Sequence, residues 1–139
     1  MKQCVIVARR RERRLLAALA VAVAMAVAAM APSARAELVN IVWDASGRFE
    51  TETKVASGKF AEVCGPLAKG QTVAWSFKAD RPMNFNVHYH LGKQVVFPAK
   101  LDAAAEANGE LDVALAQDYC WMWMNKGEST AALRLTLRR

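Results

Sequence analysis

The strongest constraint on this chain is a period of two in its apolar residues, renewed in segment after segment. Between Gln71 and Phe77, Val73, Trp75 and Phe77 share one side of an extended chain, and Thr72, Ala74 and Ser76 share the other. Between Met83 and His90, Phe85, Val87 and Tyr89 alternate with Asn84, Asn86, His88 and His90. Near the end, Leu133, Leu135 and Leu137 alternate with Arg134, Thr136 and Arg138. Successive side chains of a strand point to opposite faces, so this alternation specifies half-buried strands with one face on a core.

The other segments extend the pattern. Leu38 to Trp43 reads as a first strand, and Phe49 to Val63, polar and mixed, as an irregular strand or hairpin. Gly65-Pro66, Lys69-Gly70 and Ala79 to Pro82 are turn signals. A tight turn at Leu91-Gly92-Lys93 leads into a strand from Gln94 to Phe97, ended by Pro98. Lys100 to Asn108 has helix-forming composition and predicts two helical turns stopped at Gly109, with a loop as the alternative. Glu110 to Ala116 and Asp118 to Asn125 return to strand, and Asn125-Lys126-Gly127 turns. About seven or eight short strands separated by turns predict an all-β chain folded as a small antiparallel β-sandwich. No linker interrupts residues 37–139, which are expected to form one domain.

Residues 1–36 have a different character. They hold seven Lys or Arg against one acid, Glu12, and so carry the whole formal charge of +6. After this basic start comes an apolar run from Leu15 to Ala31, then Pro32-Ser33-Ala34-Arg35-Ala36. A positive segment, an apolar segment and an A-x-A site make a secretory signal peptide. Cleavage is expected after Ala36, which leaves a mature chain from Glu37 and no stable membrane span. The alternative is a retained anchor, since the run of about 17 residues is near the minimum spanning length. Arg13-Arg14-Leu15-Leu16 resembles a twin-arginine export signal, although Arg-rich starts also occur in ordinary signals. The expected destination is the periplasm or the exterior. The rest of the chain has twelve basic and twelve acidic residues and no basic block, which removes the electrostatic basis for nucleic-acid binding.

Cys4 leaves with the signal, so Cys64 and Cys120 remain. Two cysteines in an exported domain point to a disulfide; the alternative is that one is a metal ligand. A bridge closing so long a loop stabilises by about 3–5 kcal/mol in the chain-entropy description.

From Lys69 onward the order of features resembles the GOLD domain, the β-sandwich of the emp24/p24 cargo proteins and some lipid-transfer proteins. The matching pieces are Gly70-x-x-Val73-x-Trp75-x-Phe77, Phe85-x-Val87, Gly109, Tyr119-Cys120-Trp121-x-Trp123-x-Asn125 and Leu133-x-Leu135-x-Leu137. The chain departs from the family at Ala116-Gln117-Asp118, where a Gly is usual before the Tyr, and carries no coiled coil or C-terminal membrane helix. The resemblance implies a sandwich with a general binding role, and a late cysteine paired with an early one. It does not imply cargo sorting, which needs the missing parts.

Catalytic motifs are absent: no G-x-S-x-G elbow, no glycine-rich phosphate loop, no H-E-x-x-H and no acidic calcium loop. Binding is therefore expected rather than catalysis; an enzyme would need a pocket converging on His88 or His90 with an acidic partner. Two groups attract attention. His88 and His90 lie two apart on one strand face, about 6.5–7 Å along the backbone, where two imidazoles can converge on a metal ion. Alternation through Cys120 to Met124 sets Trp121 and Trp123, with Tyr119, against Cys120, Met122 and Met124. The aromatic trio offers more area to bury, which leaves Met122 and Met124 outward as soft thioether donors. His88, His90, Met122 and Met124 thus form a candidate copper site if their strands are neighbours. The inverse facing leaves Trp121 and Trp123 outside as an aromatic binding surface. A third reading gives all of these residues ordinary structural roles. The functional expectation is an exported, non-enzymatic, GOLD-like interaction module with an unknown protein partner, and a periplasmic copper-binding protein is the alternative. An enzyme of unknown type is the remaining option.

Overall fold

The computed structural model describes residues 37–139, and residues 1–36, read above as a signal peptide, lie outside them. Every regular element among the described residues is a strand: β1 (Glu37–Asn40), β2 (Arg48–Val55), β3 (Phe60–Leu67), β4 (Thr72–Leu91), β5 (Gln94–Asp112), β6 (Gln117–Met124) and β7 (Ala131–Arg138).

The architecture follows from β4, a strand of 20 residues. Its first half, Ala74 to Ala79, pairs antiparallel with β7, and its second half, Asn84 to Tyr89, pairs antiparallel with β6. The ladder order is β1-β3-β6-β4-β7-β2, with β5 against the other edge of β4. One layer is β1, β3, β6 and the second half of β4; the other is β2, β7 and the first half. Both belong to one nearly closed sheet, and the register of β4 against β5 shifts between Lys78 and Met83. The β1–β3 contact is parallel, with Leu38 opposite Glu62 and Asn40 opposite Cys64.

Odd-numbered residues of β4 point inward on both sides of its bend, with Arg81 at the bend and Leu91 at the end as exceptions. Val73, Trp75, Phe77, Ala79, Met83, Phe85, Val87 and Tyr89 are all buried. Tyr119, Trp121 and Trp123 of β6 and Leu133, Leu135 and Leu137 of β7 complete the interior. The indole N–H groups of Trp121 and Trp123 lie buried with no acceptor among the described residues. Burial of the rings outweighs this cost, because an aromatic side chain removes about 150–250 Å² from water.

Several expectations are corrected. Lys100 to Asn108 is neither helix nor loop but the middle of β5, whose 19 residues pair along β4. The intrinsic preference of Ala, Leu and Glu for helix is overridden by the backbone donors and acceptors that β4 presents. Ala79 to Pro82 does not separate two strands; it is the stretch where one strand bends. β2 and β3 are two strands but not a hairpin, since β2 pairs with β7 and β3 with β6. The β4–β5 turn is as expected: Leu91 pairs with Gln94, and Gly92 takes the positive φ of 61° that the two-residue turn requires.

Asn125, fully buried, closes the end of β6. Its Nδ2 donates to the carbonyls of Val55 and Ser129, each at 2.8 Å, and its Oδ1 accepts from Gly127 N–H at 2.9 Å. One side chain thereby ties the ends of β2 and β6 to the loop before β7. Asn125→Ala leaves these groups without partners and is expected to cost about 2–4 kcal/mol in chemical denaturation. Gly109 faces Trp75 across the β4–β5 ladder, and a Cβ there would stand 2.6 Å from Trp75 Cζ2. Gly109→Ala is expected to lower stability by about 1–3 kcal/mol through displacement of the indole, read as a shift in the urea midpoint with unchanged slope.

Candidate functional site

The outer face of the β1-β3-β6-β4 layer carries the even-numbered residues of β3, β6 and β4, and the register aligns them in rows. One row runs Asn40, Cys64, Cys120, His88. The next runs Leu38, Glu62, Met122, Asn86, and the one beyond it Phe60, Met124, Asn84.

Cys64 and Cys120 form the expected disulfide, directly opposite each other with their Cα atoms 4.1 Å apart. His88 stands across the next ladder from Cys120. Despite its place on the polar face it is only 6% exposed. Its Nε2 lies 3.1 Å from Glu62 Oε1 and its Nδ1 2.8 Å from Asn86 Oδ1. The rings of His90 and Phe97 flank it, with centroids at 5.5 and 5.9 Å. Lys100 Nζ in turn lies 5.8 Å above the Phe97 ring.

Two effects compete at His88. Oxygen neighbours on both ring nitrogens favour a doubly protonated ring, whereas burial favours the neutral one. Burial is the larger effect. It pushes the His88 pKa below its ordinary value, the Glu62 carboxylate partly opposes the fall, and His90 adds to it.

The face is thus less open than its sequence implies. His90 is exposed, His88 is not, and Met122 and Met124 are half-buried rather than outward and free. Met122 is one row from His88. Met124 is four residues from Cys120 along β6, or about 13 Å at strand spacing. The register sets Met122, opposite Asn86, one row to one side of His88 and His90 to the other, so Met122 and His90 stand about 13 Å apart at strand spacing and Met124 lies farther still. Trp121 and Trp123 have no exposed surface, so the aromatic binding surface is corrected: the larger apolar rings took the core side.

Glu62 and Asn86 were not singled out from the sequence. Period two counted back from Cys64 and His88 was the available signal, but it becomes informative only when β3, β6 and β4 are known to be neighbours. The acidic partner that an enzymatic reading requires does exist in Glu62. The open cleft of about 410 Å³ beside it, however, is lined by Leu38, Asn40, Glu62, Cys64, Asp118 and Cys120 among others, and not by His88. Glu50 and Glu52 lie on the outer side of β2, where they meet Arg48 and Arg134.

No protein-family model matches the chain, and no curated protein does. Solved structures of similar fold were found. PliG of Aeromonas hydrophila, a periplasmic lysozyme inhibitor of g-type lysozyme, superposes with a TM-score of 0.54 at 11% identity over 75% of this chain and 96% of that one. The pre-peptidase C-terminal domain of a Bacillus anthracis collagenase gives 0.53 at 13% identity over 78% and 99%. The Yersinia pseudotuberculosis-derived mitogen gives 0.53 at 10% identity over 66% and 84%. At these identities the likeness establishes the β-sandwich fold and nothing finer.

A lowered His88 pKa means that the unfolded chain takes up the proton more readily than the folded one. The stability contributed by a neutral His88 is therefore complete above its unfolded value of 6.5 and is lost as pH falls below it. Urea midpoints at about pH 7.5 and about pH 5.5 should fall further for the native protein than for His88→Gln. Equal falls would show that His88 carries none of this pH dependence.

Proposed function

We propose that this chain is an exported, periplasmic, non-enzymatic binding module whose partner is a protein. The observation that carries this reading is the free outer edge of β5. This strand of 19 residues pairs only with β4 among the described residues, and its backbone donors and acceptors on the far side are open. An unpaired strand edge is a template for another chain, and proteins that have no use for one normally shorten or cover it. Val95, Phe97 and Leu101 along β5 are each more than a third exposed, which supplies apolar anchors beside the backbone template.

The signal-like segment of residues 1–36 supports export. PliG supports the general role, since it is a periplasmic inhibitor of g-type lysozyme, a protein of this fold that acts on another protein. The resemblance to the GOLD domain points to the same kind of role, a sandwich that binds.

The test places a photo-crosslinking residue at Val95 in the exporting cell, with a control at Glu50 on the far layer. A discrete protein adduct from the β5 position alone, recovered from the periplasmic fraction, is the expected result. Val95→Lys/Phe97→Lys should weaken that partner by at least about tenfold without lowering thermal stability. Identical adducts from both positions, or retention of the protein in the cytoplasm, would sink the reading.

A second reading is favoured by one specific contact. The rings of His88 and His90 lie 5.5 Å apart, and this supports copper binding at that imidazole pair. Titration with Cu(I) and Cu(II), followed by tryptophan emission, is expected to show stoichiometric quenching that His88→Ala/His90→Ala abolishes. An unchanged spectrum at micromolar metal removes copper from consideration.

A further inference from the structure

The disulfide sits among donors that have no role in the binding module. One carboxylate oxygen of Glu62 and the sulfurs of Cys64 and Cys120 all lie within 4.8 Å of one another. The sulfurs are bonded to each other and offer no thiolate in this state. The cleft above them is open, and Glu62, Cys64 and Cys120 line its floor. Below them the β3–β6 ladder is continuous from Phe60 opposite Met124 to Leu67 opposite Gln117. Val63 and Trp121, the residues behind the cysteine row, are fully buried.

The geometry points to a latent metal site that the disulfide masks: on reduction, Cys64, Cys120 and Glu62 become three ligands for one divalent zinc-like cation. The reductant is a dithiol that reaches the bridge through the cleft. Two electrons pass from the dithiol to the Cys64–Cys120 bond, the dithiol becomes a disulfide, and two thiols form. Each thiol loses its proton as it binds the cation, so two protons are released per metal. Two thiolates and a carboxylate are a donor set that suits zinc, with sulfur at about 2.3 Å and oxygen at about 2.0–2.2 Å. In such a tetrahedron the donors stand about 3.3–3.8 Å apart, a spacing that rotation about the cysteine side chains provides once the bond opens.

Three features hold the ligands in place without the bridge. The ladder keeps the two cysteines opposite each other, the buried rings beneath fix the facing of both strands, and His88 Nε2, 3.1 Å from the Glu62 carboxylate, orients the third ligand. His88 is a positioning residue here, in the manner of a hydrogen-bond partner behind a metal ligand. The fourth position faces the cleft and is left to solvent. The site differs from the copper reading in its ligands: His88 only positions Glu62 here, and neither His90 nor the methionines take part.

The experiment uses the full chain carrying Cys4→Ser, so that Cys64 and Cys120 are the only cysteines. Oxidised and phosphine-reduced protein are titrated with Co²⁺, read by thiolate-to-cobalt absorption, followed by displacement with Zn²⁺. The reduced protein is expected to bind one Co²⁺ and the oxidised protein none. Glu62→Gln should weaken binding by more than about tenfold, and His88→Gln by about 10–100-fold with an altered cobalt spectrum. His90→Ala should bind as the parent does. If reduction unfolds the chain, Co²⁺ should restore the native tryptophan emission with the same one-equivalent end point. Absence of cobalt absorption in the reduced protein, folded or not, overturns the proposal. Undiminished binding in Glu62→Gln removes the carboxylate from the site and overturns it as stated. Loss of binding in His90→Ala assigns the metal to the imidazole pair instead.

Discussion

Phe77 and Phe85 meet with ring centroids 4.7 Å apart, although eight residues of one strand separate them. Along a straight strand those residues would be about 27 Å apart. Their contact is the bend of β4 expressed as packing, and it is what turns a single sheet into two layers. Trp123 packs against both rings and Trp75 against both as well, so the cluster joins the two halves of β4 to β6. Each ring pair adds about 0.5–1.5 kcal/mol beyond its area term; four of the five are edge-on or tilted, and Trp75–Phe77 is near-parallel at 12° with centroids 6.5 Å apart. Without this cluster β6 and β7 would lie along one edge of an open sheet with no shared interior.

The outer face depends on the same register. Because β4 lies beside β6, the row through Asn40 and the two cysteines reaches His88, and the row through Leu38 and Glu62 reaches Asn86. A polar group that would be solvated on an isolated strand is walled in by long neighbours on both sides. That is why a histidine on the hydrophilic side of an alternating segment ends almost without solvent contact. A buried imidazole of this kind needs partners, and the carboxylate and the amide supply them.

The inward faces were legible from the sequence because alternation and burial express the same physics. Val73 to Phe77, Phe85 to Tyr89 and Leu133 to Leu137 point as their pattern requires, and Tyr119, Trp121 and Trp123 follow from ring size. The disulfide was legible from cysteine count and compartment. The helical reading of Lys100 to Asn108 failed because helix propensity is a local preference, weak against a complete ladder of hydrogen bonds offered by a long neighbouring strand. The bend of β4 was hidden for a similar reason: Asp80-Arg81-Pro82 reads as an interruption, and only tertiary packing shows that the strand continues past it. The candidate site was half legible. The histidines and thioethers could be seen, but their neighbour Glu62 and the distance of Met124 depend on strand order, which periodicity does not encode.

The ladder order has a temporal consequence. β7 is the last of the described strands in chain order, yet it lies between β2 and the first half of β4. Its partner in β2 begins at Arg48, opposite Arg138, so that pairing spans nearly the whole described chain. A ribosome that has not released residues 131–138 holds a chain whose second layer has no centre. Contacts of such long sequence separation form late and slowly, since the loops they close must be ordered first. The second layer is therefore completed only once residues 131–138 are available, and long-range pairing rather than local structure governs when it forms.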